Sequence, residues 1–83
     1  IYPNPNSGRF QIRFYNHVNE KITINVYDMK GARIHQQVET PSANYTRIDV
    51  NLGAGIPAGF YNVEVRGGNG ALIGNKKIVV HHN

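Results

Sequence analysis

The spacing of apolar residues constrains the fold more than any other feature. Phe10, Ile12 and Phe14 alternate with Arg9, Gln11, Arg13 and Tyr15. Ile22, Ile24 and Val26 alternate with Thr23, Asn25 and Tyr27, and the same period returns at Ile48, Val50 and Leu52 and at Tyr61, Val63 and Val65. Successive side chains of an extended strand point to opposite faces, so each block reads as a strand with one face buried. No window shows an apolar period of 3.6 residues, which argues against any amphipathic helix.

Turn chemistry punctuates these blocks. The chain opens Ile1-Tyr2-Pro3-Asn4-Pro5-Asn6-Ser7-Gly8. Each proline fixes its own φ and pushes the residue before it out of the helical region, so this entry runs extended and then turns at residues 6–8. Asp28-Met29-Lys30-Gly31 reads as a type I turn closed by glycine at a left-handed position, with a bulge where the return strand begins. That return strand covers residues 32–38, with Ile34 facing inward and Val38 near its end. A loop follows to Tyr45. Residues 53–59 form a glycine-rich crossing, and Gly67-Gly68-Asn69-Gly70 a tight reversal. The last strand starts near Ala71, bends at Gly74-Asn75 and ends in Lys76-Lys77-Ile78-Val79-Val80.

Short strands at regular spacing predict an all-β protein, an immunoglobulin-like sandwich of about seven short antiparallel strands. Tyr61 stands where a strand begins after the crossing. It is either a tyrosine corner, its hydroxyl tied to upstream backbone, or an ordinary boundary tyrosine.

A chain of 83 residues makes one domain. With no cysteine it has neither a disulfide nor a thiolate ligand. No run of 18 apolar residues is present, so no membrane insertion is expected. The chain starts at Ile1 without a signal peptide and reads as a piece of a longer protein. The formal net charge is +4, but the cations are scattered and only Lys76 and Lys77 are adjacent. That distribution fits a solvated surface rather than nucleic-acid binding.

Catalytic and metal chemistry is sparse. The two serines, Ser7 and Ser42, lie in turns with no base nearby in sequence. His17, His35, His81 and His82 have no spacing typical of a zinc site. Glu20, Asp28, Glu39, Asp49 and Glu64 form neither a close dyad nor a calcium loop. No catalytic residue, metal or cofactor is expected. Tyr15 and Tyr27 face outward, where tyrosines pack across strands or stack on sugars. Asn44-Tyr45-Thr46 fits the N-glycosylation pattern.

Three blocks together carry a resemblance: Tyr2-Pro3-Asn4-Pro5 with Gly8 and Phe10; Val26-Tyr27-Asp28 with Gly31; and Leu52 with Ala58-Gly59-Phe60-Tyr61 and residues 76–80. In this order they resemble the type A C-terminal sorting domain of the type IX (Por) secretion system. The resemblance covers residues 1–80 as the sorting domain and leaves 81–83 as a tail, native or a tag remnant. It implies a non-catalytic label at the end of a cargo protein that transits the periplasm. The implied partners are the outer-membrane translocon and a sortase-like protease that often cleaves the label, leaving cargo on the cell surface or released. Family members carry export information near the end of the chain, so the resemblance makes Lys76, Lys77, Ile78, Val79 and Val80 the candidate recognition strand. The competing expectation is an accessory module of the same fold, binding polysaccharide through Tyr15, Tyr27 or Tyr45, or acting as a spacer.

Overall fold

The computed structural model describes residues 8–15, 20–40, 45–53 and 55–81, with all their side chains except those of Phe14, Tyr15, Tyr45 and Thr46. Tyr2, Pro3, Asn4 and Pro5 of the opening motif lie outside the described residues, as do His17, Ser42, Asn44 and His82. Six strands are present among the described residues: β1 (Arg9–Tyr15), β2 (Ile22–Asp28), β3 (Arg33–Glu39), β4 (Tyr45–Asn51), β5 (Gly59–Arg66) and β6 (Leu72–Val80). No helix there is long and apolar enough to cross a membrane.

The strands form two antiparallel sheets, one ordered β1-β4 and the other β3-β2-β5-β6. This is the strand order of an immunoglobulin-type sandwich. β1 and β4 take the places of strands B and E; β3, β2, β5 and β6 take those of C′, C, F and G. Among the described residues nothing stands beside β1 where strand A would pair.

The core lies between the sheets. Phe10, Ile12, Ile48 and Val50 come from one side; Ile22, Ile24, Val26, Tyr61, Val63, Val65, Ile78 and Val80 come from the other. Ile22, Ile24, Val26 and Ile78 are fully enclosed. Burial of each such side chain contributes about 1.5–3 kcal/mol.

Two tight reversals set the register of the larger sheet. At the β2–β3 turn, Gly31 N–H donates to Asp28 C=O at 3.1 Å and Asp28 N–H to Ala32 C=O at 2.9 Å. The Asp28 carboxylate also accepts from the Lys30 and Ala32 amides, both at 2.9 Å. Gly31 sits at φ 88°, a left-handed conformation that a side chain resists. The β5–β6 turn repeats the backbone pattern, Gly70 N–H to Gly67 C=O at 3.0 Å and Gly67 N–H to Ala71 C=O at 2.9 Å.

Three expectations need correction. Six strands are described rather than about seven, and the last of them does not bend at Gly74-Asn75. The irregularity is taken up one residue earlier: Val65 pairs with Gly74 and Arg66 with Leu72, leaving Ile73 as a bulge in a continuous β6. Ile34 does not face inward. Val26 pairs with His35 and Tyr27 with Arg33, so Ile34 is the extra residue of a bulge, 40% exposed, and Val38 is 51% exposed. The inward side of β3 carries His35, Gln37 and Glu39 instead. That side meets the open backbone of β4, where the Gln37 amide donates to Asp49 C=O at 3.1 Å. Asn25, expected on a solvent face, is 5% exposed. Its strand is central in the sheet, and its amide donates to Glu64 Oε1 at 3.3 Å.

Candidate recognition surface on the terminal strand

β6 is held against β5 from Gly59↔Val80 to Arg66↔Leu72. Its alternation divides the five candidate residues. Ile78 and Val80 point into the core, at 0% and 1% exposure, and Val79 is half-buried. Lys76 and Lys77 are both exposed. The strand's end is therefore an anchor, and its two cations are what it displays.

The two lysines leave on opposite sides of the sheet. Lys77 pairs across the ladder with Asn62, on the outer face. Its ammonium stands 5.1 Å from the ring centroid of Phe60, within cation–π range. Phe60 itself is 51% exposed, so cation and ring form one composite surface. Lys76 pairs with Val63 on the inner side, yet it stays in solvent. The two-stranded sheet does not extend over it, and the gap is a cleft of about 190 Å³ shared with Ile12, Arg13, Val65 and Gly74. Neither lysine has an ion-pair partner among the described residues.

Next to them the outer face is neutralised. Arg66 and Glu64 form a bidentate pair, Nε to Oε1 at 2.8 Å and Nη2 to Oε2 at 3.2 Å. The same guanidinium donates through Nη1 to Gly70 C=O at 2.9 Å, bracing the β5–β6 turn. The Arg66 hydrogen bonds hold the Glu64 carboxyl below the ordinary carboxylate value; burial opposes this, and Asn25 and Tyr27 support it.

The motif residues that lie within the described region have structural roles. Tyr61 is a tyrosine corner: it stands near the start of β5, is buried, and its hydroxyl donates to Pro57 C=O at 2.6 Å. Phe10 is a core residue, 2% exposed. Gly8 accepts from the Leu52 amide at 2.7 Å. A Cβ on Gly8 would lie 2.8 Å from Gly53 O, so only glycine fits. Asp28 and Gly31 make the β2–β3 turn, and Gly59 begins β5 opposite Val80.

No cluster of three metal-ligating side chains exists among the described residues. His35 contacts the Gln37 amide oxygen at 3.0 Å. Of the three candidate stacking tyrosines, only Tyr27 has a described side chain, and it is half-buried. The sequence reading missed the Phe60–Lys77 contact, which arises only from the β5–β6 register that pairs Phe60 with Val79 and Asn62 with Lys77. It also missed Arg13 and Gly74, which only the packing of one sheet over the other brings together.

Fold and surface together define a small β-sandwich module that displays a cationic strand beside an open seam. The family model of the secretion system C-terminal sorting domain matches residues 1–81, and the chain belongs to that family. It is thus a C-terminal sorting domain of the type IX secretion system. No curated protein and no solved structure matches the chain.

Proposed function

We propose that this chain is a non-catalytic address label that directs a cargo on its N-terminal side through the outer-membrane translocon. The label folds in the periplasm, and β6 is its recognition strand. Lys76 and Lys77 make the contact, while Ile78 and Val80 fix the strand's position from the core. The observation that carries this reading is the division of labour within five consecutive residues, two exposed cations followed by a buried anchor. A sortase-like protease then removes the label, leaving the cargo on the cell surface or in the medium.

The test is export. The full chain is fused to the C-terminus of a fluorescent protein that carries a periplasmic signal peptide. It is expressed in a bacterium with an intact type IX system and in a translocon-null strain. Fluorescence on the surface or in the medium of the first strain alone is expected. Periplasmic retention of a folded fusion in both strains would refute the reading.

A further inference from the structure

We propose that the secretion machinery presents a carboxylate with apolar neighbours to a groove on the outer face of β2, β5 and β6, where Lys77 receives it. The inference rests on β6 as the strand that is read. It adds β5 to that surface and gives the partner its chemistry.

The register builds the groove. Tyr27, Asn62 and Lys77 stand in one row across the three strands, and Glu64 and Asn75 stand side by side in the next. Met29 and Gly31 of the β2–β3 turn form a wall, and the open space is about 540 Å³. Small-ligand sites run from about 300 to 1,000 Å³, so a side chain fits there with its flanking residues. The residues that line the groove all lie within the described part of the chain, and the β1/β6 seam is on the other face of the sheet.

Charge decides what fits. The chain itself already occupies the acids of this face. The Asp28 carboxylate accepts from the Lys30 and Ala32 amides, and Glu64 accepts from Arg66 and Asn25. Arg66 is thereby neutralised, and Lys77 is not. Among the described residues no acid stands against the Lys77 ammonium, which rests over the Phe60 ring. The side-chain amides of Asn62 and Asn75 make no hydrogen bond there either. A bare cation beside two free amides suits a carboxylate, which accepts from both kinds of donor. A cationic or wholly apolar group would displace water from all three without replacing its hydrogen bonds.

Phe60 gives the surface its second character. The ring is 51% exposed, and Met29 at the wall is 57% exposed. Covering these two side chains favours a partner whose carboxylate has apolar neighbours. The ring also restricts the ammonium before the partner arrives, which lowers the ordering cost of the contact.

The test uses the reporter fusion with the full chain, in cells with an intact type IX system. Each variant is first matched to the unchanged chain in melting temperature. Lys77→Arg and Phe60→Tyr keep the cation and the ring and should export normally. Lys77→Gln and Phe60→Ser should export about tenfold less, and Lys77→Glu less again, as one close charge contact is removed and then reversed. The photo-crosslinker p-benzoylphenylalanine in place of Met29 should join the label to a type IX subunit identified by mass spectrometry. In place of Val38, exposed on β3, it should not. Normal export of Lys77→Gln overturns the carboxylate, and normal export of Phe60→Ser overturns the groove. Equal crosslinking from both positions, or crosslinking from Met29 to glycan instead of protein, also overturns the groove. In all of these cases, loss of export when Lys76 and Lys77 are both changed to glutamate still leaves β6 as the strand that is read. Normal export of that double variant removes both readings.

Discussion

β3 and β6 flank the same four-stranded sheet and are built from the same parts, yet they are put to different uses. Each is joined to its neighbour by a tight glycine turn, and each carries a bulge at a partly exposed isoleucine, Ile34 at 40% and Ile73 at 43% exposure. Bulges of this kind blunt a flank against indiscriminate pairing. Past its bulge, β3 sends polar His35, Gln37 and Glu39 toward the other sheet and shuts the seam there. β6 does the opposite. It sends Ile78 and Val80 into the core and leaves Lys76 and Lys77 in solvent beside an open cleft. One flank is finished with polar side chains; the other is anchored by apolar ones and displays two cations.

The largest effect that tests this contrast is truncation of the anchor. Ile78→Ala removes a fully enclosed side chain and should cost about 2–5 kcal/mol. Val38→Ala, at an exposed site on β3, should stay within about 0.5 kcal/mol. Denaturant melts of the two variants compare them directly, and equal losses would erase the distinction.

A second pair concerns glycines. Gly31→Val places a β-branched residue at φ 88° and should cost about 1–3 kcal/mol. Gly74→Val, on β6, has neither a positive φ nor a neighbour within 4 Å and should leave stability nearly unchanged. For a domain of this size, each kcal/mol moves the melting temperature by about 4–8 °C, so calorimetry separates them.

The tyrosine corner that leads into β5 ranks next. Tyr61→Phe loses the hydroxyl bond to Pro57 C=O and should cost about 1 kcal/mol. No change in melting temperature would mean that the corner does not help to fix the strand on which β6 lies.

The smallest effect is electrostatic. Arg66 lowers the carboxyl pKa of Glu64 in the folded state, so this pair stabilises the fold above the ordinary value of 4.5. That contribution is lost as pH falls through the depressed folded value. Stability compared at pH 7 and pH 3 should therefore drop less in Glu64→Gln than in the unchanged chain. An identical pH response would show that the pair does not brace the β5–β6 turn.

Much of this was legible from residues alone. Period-two alternation located β1, β2, β4 and β5, and the turns at 28–31 and 67–70 placed β3 and β6 after them, because both signals are local. The facing of β3 was not legible. Ile34 and Val38 are the apolar residues of their block, and alternation turns them inward; a bulge at Ile34 and a polar seam at β4 override it. Neither is visible until β2 and β4 are in place. The same holds for the proposed recognition surface. Lys76-Lys77 stands out as a dipeptide, but the cleft beneath Lys76 depends on Arg13, Val65 and Gly74 from three strands. Gly74-Asn75 reads as a bend because a glycine in a strand weakens it; here the bulge at Ile73 takes up the irregularity one residue earlier.

The most direct test sets the two flanks against each other in export. The reporter fusion is made in three forms: unchanged, with Lys76→Glu and Lys77→Glu on β6, and with Arg33→Glu on β3. Each is checked for folding and then assayed outside cells that carry an intact type IX system. The expected result is retention of the β6 variant in the periplasm and normal export of the β3 variant. Undiminished export of the folded β6 variant, or equal loss in both, would contradict β6 as the strand that the secretion machinery reads.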